Sequence, residues 1–383
     1  MPGYELIGKE EKNQVLEIFE KSNTLFRHGF DDRRNNVFKV RDFENEFSKK
    51  FGCSDSLAVT SGTAALKVAL EALSLKEGDE IITQAFTFVA TVEAIVEANA
   101  SPVICEIDRS LNIDPTKLEN LITNKTRAII VVHMLGVPCD MESINKIANK
   151  HNLKIIEDTA WGCGAKYKDK YLGTIGDIGT FSFDSAKIIT TGEGGMIVSK
   201  DENILAKCKA YHDHGHENNP NLPRWKDSRS SSGFNFRMNE LQGAVGLAQL
   251  EKLEFIIKKQ IEVAKRLKSI IDKYNFETRE VPDHSKPTYD AFVFFAKNST
   301  SAEKIRSKLI EKGLGTKILP EAITWHFAGD WDHIHELVKN YPKLNNQFTY
   351  SRNLLEKSVA IPINIYLQKD FYEIFEETLN ETL

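Results

Sequence analysis

The stretch GTFSFDSAKIITTGEGGMIVS, residues 179–199, places a single lysine just after a strand-like run and before a cluster of glycines. Thr180–Phe183 is short and rich in aromatic residues, which is typical of a buried strand. Lys187 follows this run after three residues, and Gly192, Gly194 and Gly195 then allow the backbone to approach its neighbours closely. The pattern predicts a lysine held at the carboxyl end of a core strand.

Similar short apolar runs recur on the N-terminal side of this stretch and are separated by helix-like segments such as Met141–Lys150. The predicted strands are Ile81–Ile82, Val103–Cys105, Ala128–His133, Leu153–Ile156 and Thr180–Phe183. Alternation of this kind indicates an α/β fold in which helices cover both faces of a mostly parallel sheet. Ligands of open parallel sheets bind beyond the carboxyl ends of the strands, so the residues that follow each run are the candidates for a site.

The C-terminal third of the chain has a different pattern. Met238 to about Asp272 has a helical period, and Ala291–Phe295 and Ser301–Lys312 follow as a strand and a helix. We therefore predict a large domain with an N-terminal arm over residues 1–255 and a smaller α+β domain over residues 256–383. The segment His216–Ser232, rich in Asn, Pro, Ser and charged residues, is predicted to be an exposed loop.

Composition excludes several classes of protein. The 383 residues are 41% hydrophobic and 27% charged, with a net charge of −5 and both signs interspersed. Without a basic stripe, nucleic acid is not an expected partner, and the strand-sized apolar runs predict no membrane insertion. Five cysteines occur singly, without the spacing of a metal site, as expected of reduced thiols in the cytoplasm.

Three features together indicate covalently held pyridoxal phosphate. Lys187, among aromatic residues and near a cationic ring, would lose its proton and form a Schiff base. Asp158, at the end of another strand-like run, would keep the ring nitrogen protonated. Ser61–Thr63 precedes a helical repeat, so free N–H groups there would hold a phosphate.

Each feature also has an ordinary explanation. Lys187 could be a surface lysine, Asp158 half of an ion pair, and Ser61 a helix cap. The glycine cluster could form a plain turn or a nucleotide loop, although it completes neither GxGxxG nor a Walker lysine motif.

Longer motifs occur in order from about Val40 to Glu254, and more loosely beyond. They are the 179–199 stretch, TSGTAAL at Thr60–Leu66, FTFVAT at Phe86–Thr91, EDTA at Glu157–Ala160 and GFNFRMNELQGAVGLAQLEKLE at Gly233–Glu254. This set resembles the DegT/DnrJ/EryC1/StrS sugar aminotransferases. The resemblance implies a fold-type I, aspartate aminotransferase-like enzyme that uses pyridoxal 5′-phosphate.

The resemblance also assigns roles around the cofactor. Lys187 corresponds to the lysine that binds the cofactor and then shuttles a proton, and Asp158 to the carboxylate that pairs with the ring nitrogen. Phe88 corresponds to the aromatic residue that stacks on the ring. The phosphate-binding donors are implied at Gly62, Thr63 and Ser182.

Other positions concern the partner subunit and the substrate. Asn235 matches an asparagine that reaches the phosphate from the neighbouring subunit, which implies a homodimer with shared active sites. His326 lies where many members carry a histidine on the substrate side. Trp161 departs from the usual EDAAQA motif, which has glutamine at this position, and so leaves the local environment of the cofactor open.

Lys187 also favours transamination over dehydration, because the dehydratases of the family carry histidine at that position. Four segments resemble the branch that makes 8-amino-3,8-dideoxy-manno-octulosonate for lipopolysaccharide: MPGYELIG at the N-terminus, Arg34–Glu44, His212–Glu217 and Trp325–Leu337. The resemblance implies transfer of an amino group from glutamate to the C8 aldehyde of an octulosonate.

An octulosonate has a free carboxylate and needs cationic partners. The candidates in the branch-like segments are Arg33, Arg34, Arg41, Arg237, His214 and His216. A nucleotide-linked 3-keto or 4-keto deoxysugar is the alternative substrate. A non-catalytic, cofactor-bearing regulatory protein is the alternative of another class.

Overall fold

A computed structural model describes residues 2–219 and 221–382. Within them, seven strands form the central sheet and six more form two small sheets. The strands are β1 (Ser56–Val59), β2 (Glu80–Gln84), β3 (Ser101–Cys105), β4 (Thr126–Val132), β5 (Lys154–Asp158), β6 (Lys166–Tyr167), β7 (Lys170–Tyr171), β8 (Ile178–Ser182), β9 (Gly195–Ser199), β10 (Glu277–Thr278), β11 (Ser285–Lys286), β12 (Ala291–Phe295) and β13 (Ser358–Pro362).

Helices surround the sheets and connect most of the strands. They are α1 (Pro2–Glu5), α2 (Lys9–Glu17), α3 (Lys39–Phe51), α4 (Gly62–Ala72), α5 (Val89–Glu97), α6 (Pro115–Leu118), α7 (Met141–His151), α8 (Glu202–Tyr211), α9 (Glu240–Ile271), α10 (Ser299–Glu311), α11 (Ile323–His326), α12 (His335–Asn340), α13 (Thr349–Glu356) and α14 (Phe371–Thr382). Ile18–Ser22 forms a π-helical turn, and short 3₁₀ turns complete the connections.

The central sheet has the order β1-β9-β8-β5-β4-β2-β3. The pairs β2–β3, β2–β4, β4–β5 and β5–β8 are parallel, whereas β9 runs antiparallel to both β8 and β1. The predicted mostly parallel α/β fold is therefore confirmed. Asp158 lies opposite Thr180 in the β5–β8 register, so the carboxyl ends of these two strands are side by side.

Helix α9 is the long helix that the sequence predicts. It begins with a capping box, in which the Asn239 side chain accepts from the Gln242 N–H and the Gln242 side chain accepts from the Asn239 N–H. The N-terminal arm packs against it, with Glu11 of α2 accepting hydrogen bonds from Gln249 and Lys252. The boundary proposed between residues 255 and 256 falls inside α9, and the division into two domains stays a prediction.

An aromatic cluster fixes strand β8 against helix α3. The Phe47 ring lies 5.0 Å from that of Phe181, and the Phe43 ring lies 5.3 Å from that of Phe183. Phe47 also stacks on Phe51 at 4.1 Å. Helix α9 approaches Phe43 at Gly246, where an added Cβ would lie 2.7 Å from the ring. Phe43 thus packs between α9 and the chain that leads from β8 to Lys187.

The C-terminal part has its own sheet, β10-β12-β13, with α10 and α14 packed on it. Side chains alternate along β12, so Val293 joins the core of the large sheet while Phe292 and Phe294 join a second core. One strand therefore links the two parts. None of the helices in the described ranges is long and apolar enough to cross a membrane.

The segment predicted as an exposed loop contains one 3₁₀ turn, Arg224–Lys226, in its described residues 216–219 and 221–232. Trp225 is 84% exposed there. His216 differs from the prediction because its ring is buried and pairs with Asp227 at 3.1 Å.

Replacing Phe47 with alanine should remove a buried ring from the cluster behind β8 and leave a cavity. We expect the free energy of unfolding to fall by about 3–5 kcal/mol. Urea denaturation followed by circular dichroism measures it. Phe255→Ala is the control, since Phe255 is 49% exposed on α9 and its loss should change stability far less. Equal losses for the two variants would contradict the packing role of Phe47.

Candidate functional site

A cavity of about 340 Å³ opens at the carboxyl ends of β5 and β8. The N-termini of α4 and α5 form one wall, and the segment around α11 reaches over it. Seven of the residues singled out in the sequence meet there. They are Gly62, Thr63, Phe88, Asp158, Ser182, Lys187 and His326.

Lys187 is held by the loop that follows β8. Its N–H donates to the Asp184 carbonyl at 3.0 Å, and its own carbonyl accepts from the Gly3 N–H of the N-terminal arm at 3.2 Å. The side chain is half-buried, and its Nζ lies 3.5 Å from the centre of the Trp161 ring. Desolvation lowers the pKa of Lys187 from 10.5 to about 8.

Asp158 ends strand β5 and is 5% exposed. It accepts hydrogen bonds from the Thr91 hydroxyl and from the Ala160 N–H, both at 3.1 Å. Burial raises the pKa of Asp158, although these hydrogen bonds and the charge of Lys187 oppose the rise. A cationic group bound opposite Asp158 would stabilise its charged form.

The N-terminus of α4 forms the polar end of the cavity. Ser61 caps the helix by accepting from the Ala64 N–H at 3.0 Å. The N–H groups of Gly62 and Thr63, in the first turn, have no partner within the helix and are available to an anion. An added Cβ at Gly62 would lie 2.7 Å from the Ser182 Cβ, so only glycine fits this contact.

Aromatic rings form the opposite side of the cavity. The His326 ring lies 5.6 Å from that of Phe88 and 6.1 Å from that of Trp161. Desolvation lowers the pKa of His326 to about 4, so the imidazole is neutral at pH 7. Trp161, whose role the sequence leaves open, lines the cavity and presents its face to the Lys187 ammonium, a cation–π contact.

The remaining predicted residues do not line this cavity in a single chain. Asn235 and His214 are exposed on the chain segments before α9. Arg237 is paired with Asp213. Arg34 is fully buried: it pairs with Glu240 at 2.8 Å and donates to the carbonyls of Gly29 and Phe26. The N–H donors of the Arg34 guanidinium therefore already have acceptors within the chain.

The structure adds residues that the sequence did not indicate. Thr91 donates a hydrogen bond to Asp158 and orients it. The residue is the last one of the FTFVAT motif, but the sequence predicted no role for it. Lys317 and Asp290 form a buried ion pair of 2.6 Å near Trp161. Asp290 lies directly before β12, whereas the sequence search considered residues that follow a strand. Lys317 belongs to no motif identified in the sequence.

These residues fit pyridoxal phosphate. Lys187 offers an amine suited to covalent attachment, and Asp158 offers a buried carboxylate suited to a protonated ring nitrogen. Gly62, Thr63 and Ser182 surround the space suited to a phosphate. No group of three or more His, Cys, Asp or Glu side chains in the described residues is arranged to hold a metal ion.

Curated relatives support the same chemistry. The chain is 38% identical over 279 residues to a GDP-perosamine synthase of Escherichia coli O157:H7. The aligned region covers 73% of this chain and 75% of that protein. It is 33% identical over 373 residues to the spore coat polysaccharide biosynthesis protein SpsC of Bacillus subtilis, covering 94% and 90% of the two chains.

Solved structures show the same fold over nearly the whole chain. An aminotransferase from Psychrobacter cryohalolentis superimposes with a TM-score of 0.86 at 27% identity, covering 98% of this chain and 96% of that one. Helicobacter pylori PseC, an aminotransferase involved in the biosynthesis of pseudoaminic acid, gives 0.85 at 26% identity with the same coverage. The model of the DegT/DnrJ/EryC1/StrS aminotransferase family matches residues 9–376, and the chain belongs to this family of pyridoxal-phosphate-dependent sugar aminotransferases.

Proposed function

We propose that this sugar aminotransferase transfers an amino group from L-glutamate to the C8 aldehyde of 8-oxo-3-deoxy-octulosonate. The product would be 8-amino-3,8-dideoxy-manno-octulosonate, for lipopolysaccharide or another surface polysaccharide. The observation that carries the transamination is the desolvated Lys187 amine in one cavity with Asp158. We place the enzyme in the cytoplasm because its five cysteines are all unpaired, as in a reducing compartment.

Six positions of one chain would hold the cofactor. Lys187 would bind it covalently, Asp158 would face the ring nitrogen, and Phe88 would lie against the ring. The phosphate would be held by Gly62 and Thr63 at the start of α4 together with the Ser182 hydroxyl. When bound, pyridoxal phosphate supplies an electron sink for the carbon that loses its proton.

Lys187 then moves that proton. A catalytic base works best when its pKa lies near the working pH, and desolvation brings the pKa of Lys187 to about 8. At neutral pH its amine both accepts a proton and returns it. The neutral His326 and the Trp161 ring line the same cavity and limit the access of water to the reacting atoms.

Two substrate classes have support. The octulosonate is favoured by the four branch-like segments. Arg237 and His214 are candidates for its carboxylate, and both lie outside the cavity of their own chain. Arg237 and Arg34 already pair with Asp213 and Glu240, so either would have to exchange a partner for the substrate. A nucleotide-linked keto sugar is the second candidate because relatives at 38% identity are GDP-perosamine synthases.

The pH dependence of cofactor attachment tests the Lys187 assignment. Because the neutral amine is the nucleophile, attachment of pyridoxal phosphate to cofactor-free protein should speed up as pH rises and level off above a midpoint of about 8. Stopped-flow absorbance measures this rate. Asp290→Asn should lower the midpoint, because the Asp290 charge raises the pKa of Lys187. A midpoint near 10.5, the ordinary value for lysine, would refute the desolvated amine.

The substrate is tested by half-reactions on the holoenzyme. Glutamate should convert the bound cofactor to its amino form, and the octulosonate aldehyde should return it to the starting spectrum. Absorbance spectra before and after each addition measure both steps. A GDP-linked 4-keto deoxysugar is tested in parallel as the alternative acceptor of the amino group. Recovery with that sugar alone would reject the octulosonate and retain the aminotransferase, and no response to glutamate would reject the donor.

We further propose a homodimer in which Asn235 of each subunit reaches the phosphate in the other's cavity. Asn235 is exposed and does not line the cavity of its own chain. Apolar surface lies beside it, since Phe234 is 57% exposed and Phe26, whose ring lies 5.2 Å from the Arg237 guanidinium, is 39% exposed. Exposed aromatic residues of this kind are common at protein interfaces.

Mixed dimers test this sharing. Lys187→Ala and Asn235→Asp should each be nearly inactive, the second because a carboxylate would repel the phosphate. If Asn235 serves the partner's site, a hybrid dimer has one site with both defects and one intact site. Subunit exchange in an equal mixture should then restore about a quarter of wild-type turnover. Turnover that stays at the level of the single variants would contradict the shared site.

A further inference from the structure

A second ammonium group lies beside Trp161, one of the residues that line the cavity. Lys317 follows α10, and its backbone N–H donates to the Ala360 carbonyl of β13 at 2.8 Å. Its side chain is 8% exposed, and its Nζ lies 5.1 Å from the centre of the Trp161 ring. The same indole contacts the Lys187 Nζ at 3.5 Å, so one ring that lines the cavity touches both cations.

Lys317 has a single, poorly directed counter-charge. Its Nζ lies 2.6 Å from Oδ2 of Asp290, which is 1% exposed. Neither Asp290 oxygen has a hydrogen bond of acceptable geometry in the described residues. An ammonium group has three donors, so Lys317 retains donors for another acceptor. Asp290 neutralises the buried charge of Lys317 but leaves some of its N–H donors without an acceptor.

The other candidate cations are engaged or uncharged. Lys187 is needed for the cofactor, and His326 is neutral at pH 7. Arg34 is enclosed by Glu240 and two carbonyls. Lys317 does not itself line the cavity, but its contact with the same indole keeps its ammonium within about 9 Å of the Lys187 amine, a span that a bound substrate carboxylate can bridge.

We infer that Lys317 binds a carboxylate of the substrate, which replaces or shares its contact with Asp290. The inference deepens the proposed function and rests on it, because both proposed substrates carry carboxylates. The source is either glutamate or the octulosonate, and the recognition chemistry is the same charge-assisted hydrogen bond. Lys317 is thus a substrate-binding residue contributed by the C-terminal part of the chain.

The test uses the holoenzyme of Lys317→Met, which keeps the length and apolar stem of the side chain. The two half-reactions are followed separately by cofactor absorbance over a range of substrate concentrations. In at least one of them, half-saturation should require about tenfold to hundredfold more substrate, with the limiting rate changed only a few-fold. Weakening with glutamate alone identifies the donor carboxylate, and weakening with the octulosonate alone identifies the sugar carboxylate.

Asp290→Asn is the control for a structural effect, because it breaks the same ion pair without removing the cation. It removes the competing carboxylate and keeps the cation, so carboxylate binding should tighten several-fold. An octulosonate carboxamide is the neutral control, which wild type and Lys317→Met should bind equally. Unchanged half-saturation in both half-reactions, or equal weakening by Lys317→Met and Asp290→Asn, would overturn the inference.

Failure of the proposed function would look different. In that case the wild-type holoenzyme itself would not respond to glutamate, or would accept a nucleotide sugar in place of the octulosonate. In the latter case the glutamate half-reaction still tests Lys317, because the donor carboxylates remain.

Discussion

Removing the Lys187 ammonium from water is the physical constraint on which the site depends. Among the described residues no carboxylate forms an ion pair with it, and the centre of the Trp161 ring lies 3.5 Å from its Nζ. Burial of a lysine without a paired charge favours the neutral amine, which is the nucleophilic form. Asp158, in the same cavity, is buried as well and is suited to a cationic partner. Together the two residues are prepared for a ligand that offers an aldehyde and a cationic ring.

The scaffold makes this arrangement rigid. The register of β5 and β8 brings Asp158 and the start of the lysine loop to one edge of the sheet. The Thr190 hydroxyl and the Thr191 N–H both bond the Phe183 carbonyl, which closes the loop on itself. At the other end, Gly195 lies so close to Ser61 that an added Cβ would be 2.3 Å from its carbonyl oxygen. Strand packing and glycine contacts thus fix the distance between the Lys187 amine and the start of α4.

Much of this could be predicted from the sequence, because local patterns and strand ends determine it. The runs ending near Asp158 and Ser182 gave the parallel sheet, and the cap at Ser61 gave the start of α4. The pairing of Lys317 with Asp290 could not be predicted, since those residues meet only when β12, which follows Asp290, pairs with β13, to which the Lys317 backbone is bonded. The burial of Arg34 was also missed. Its charge suggested a substrate contact, but its partner Glu240 lies 206 residues away along the chain.

The central claim is that Lys187, and no other lysine, carries the cofactor. Reduction of the holoenzyme with borohydride, proteolysis and peptide mass spectrometry test it most directly. The mass of the reduced cofactor should be found on the peptide that contains Lys187. The same mass on a peptide containing Lys317, whose amine also contacts Trp161, or on no peptide at all, would contradict it.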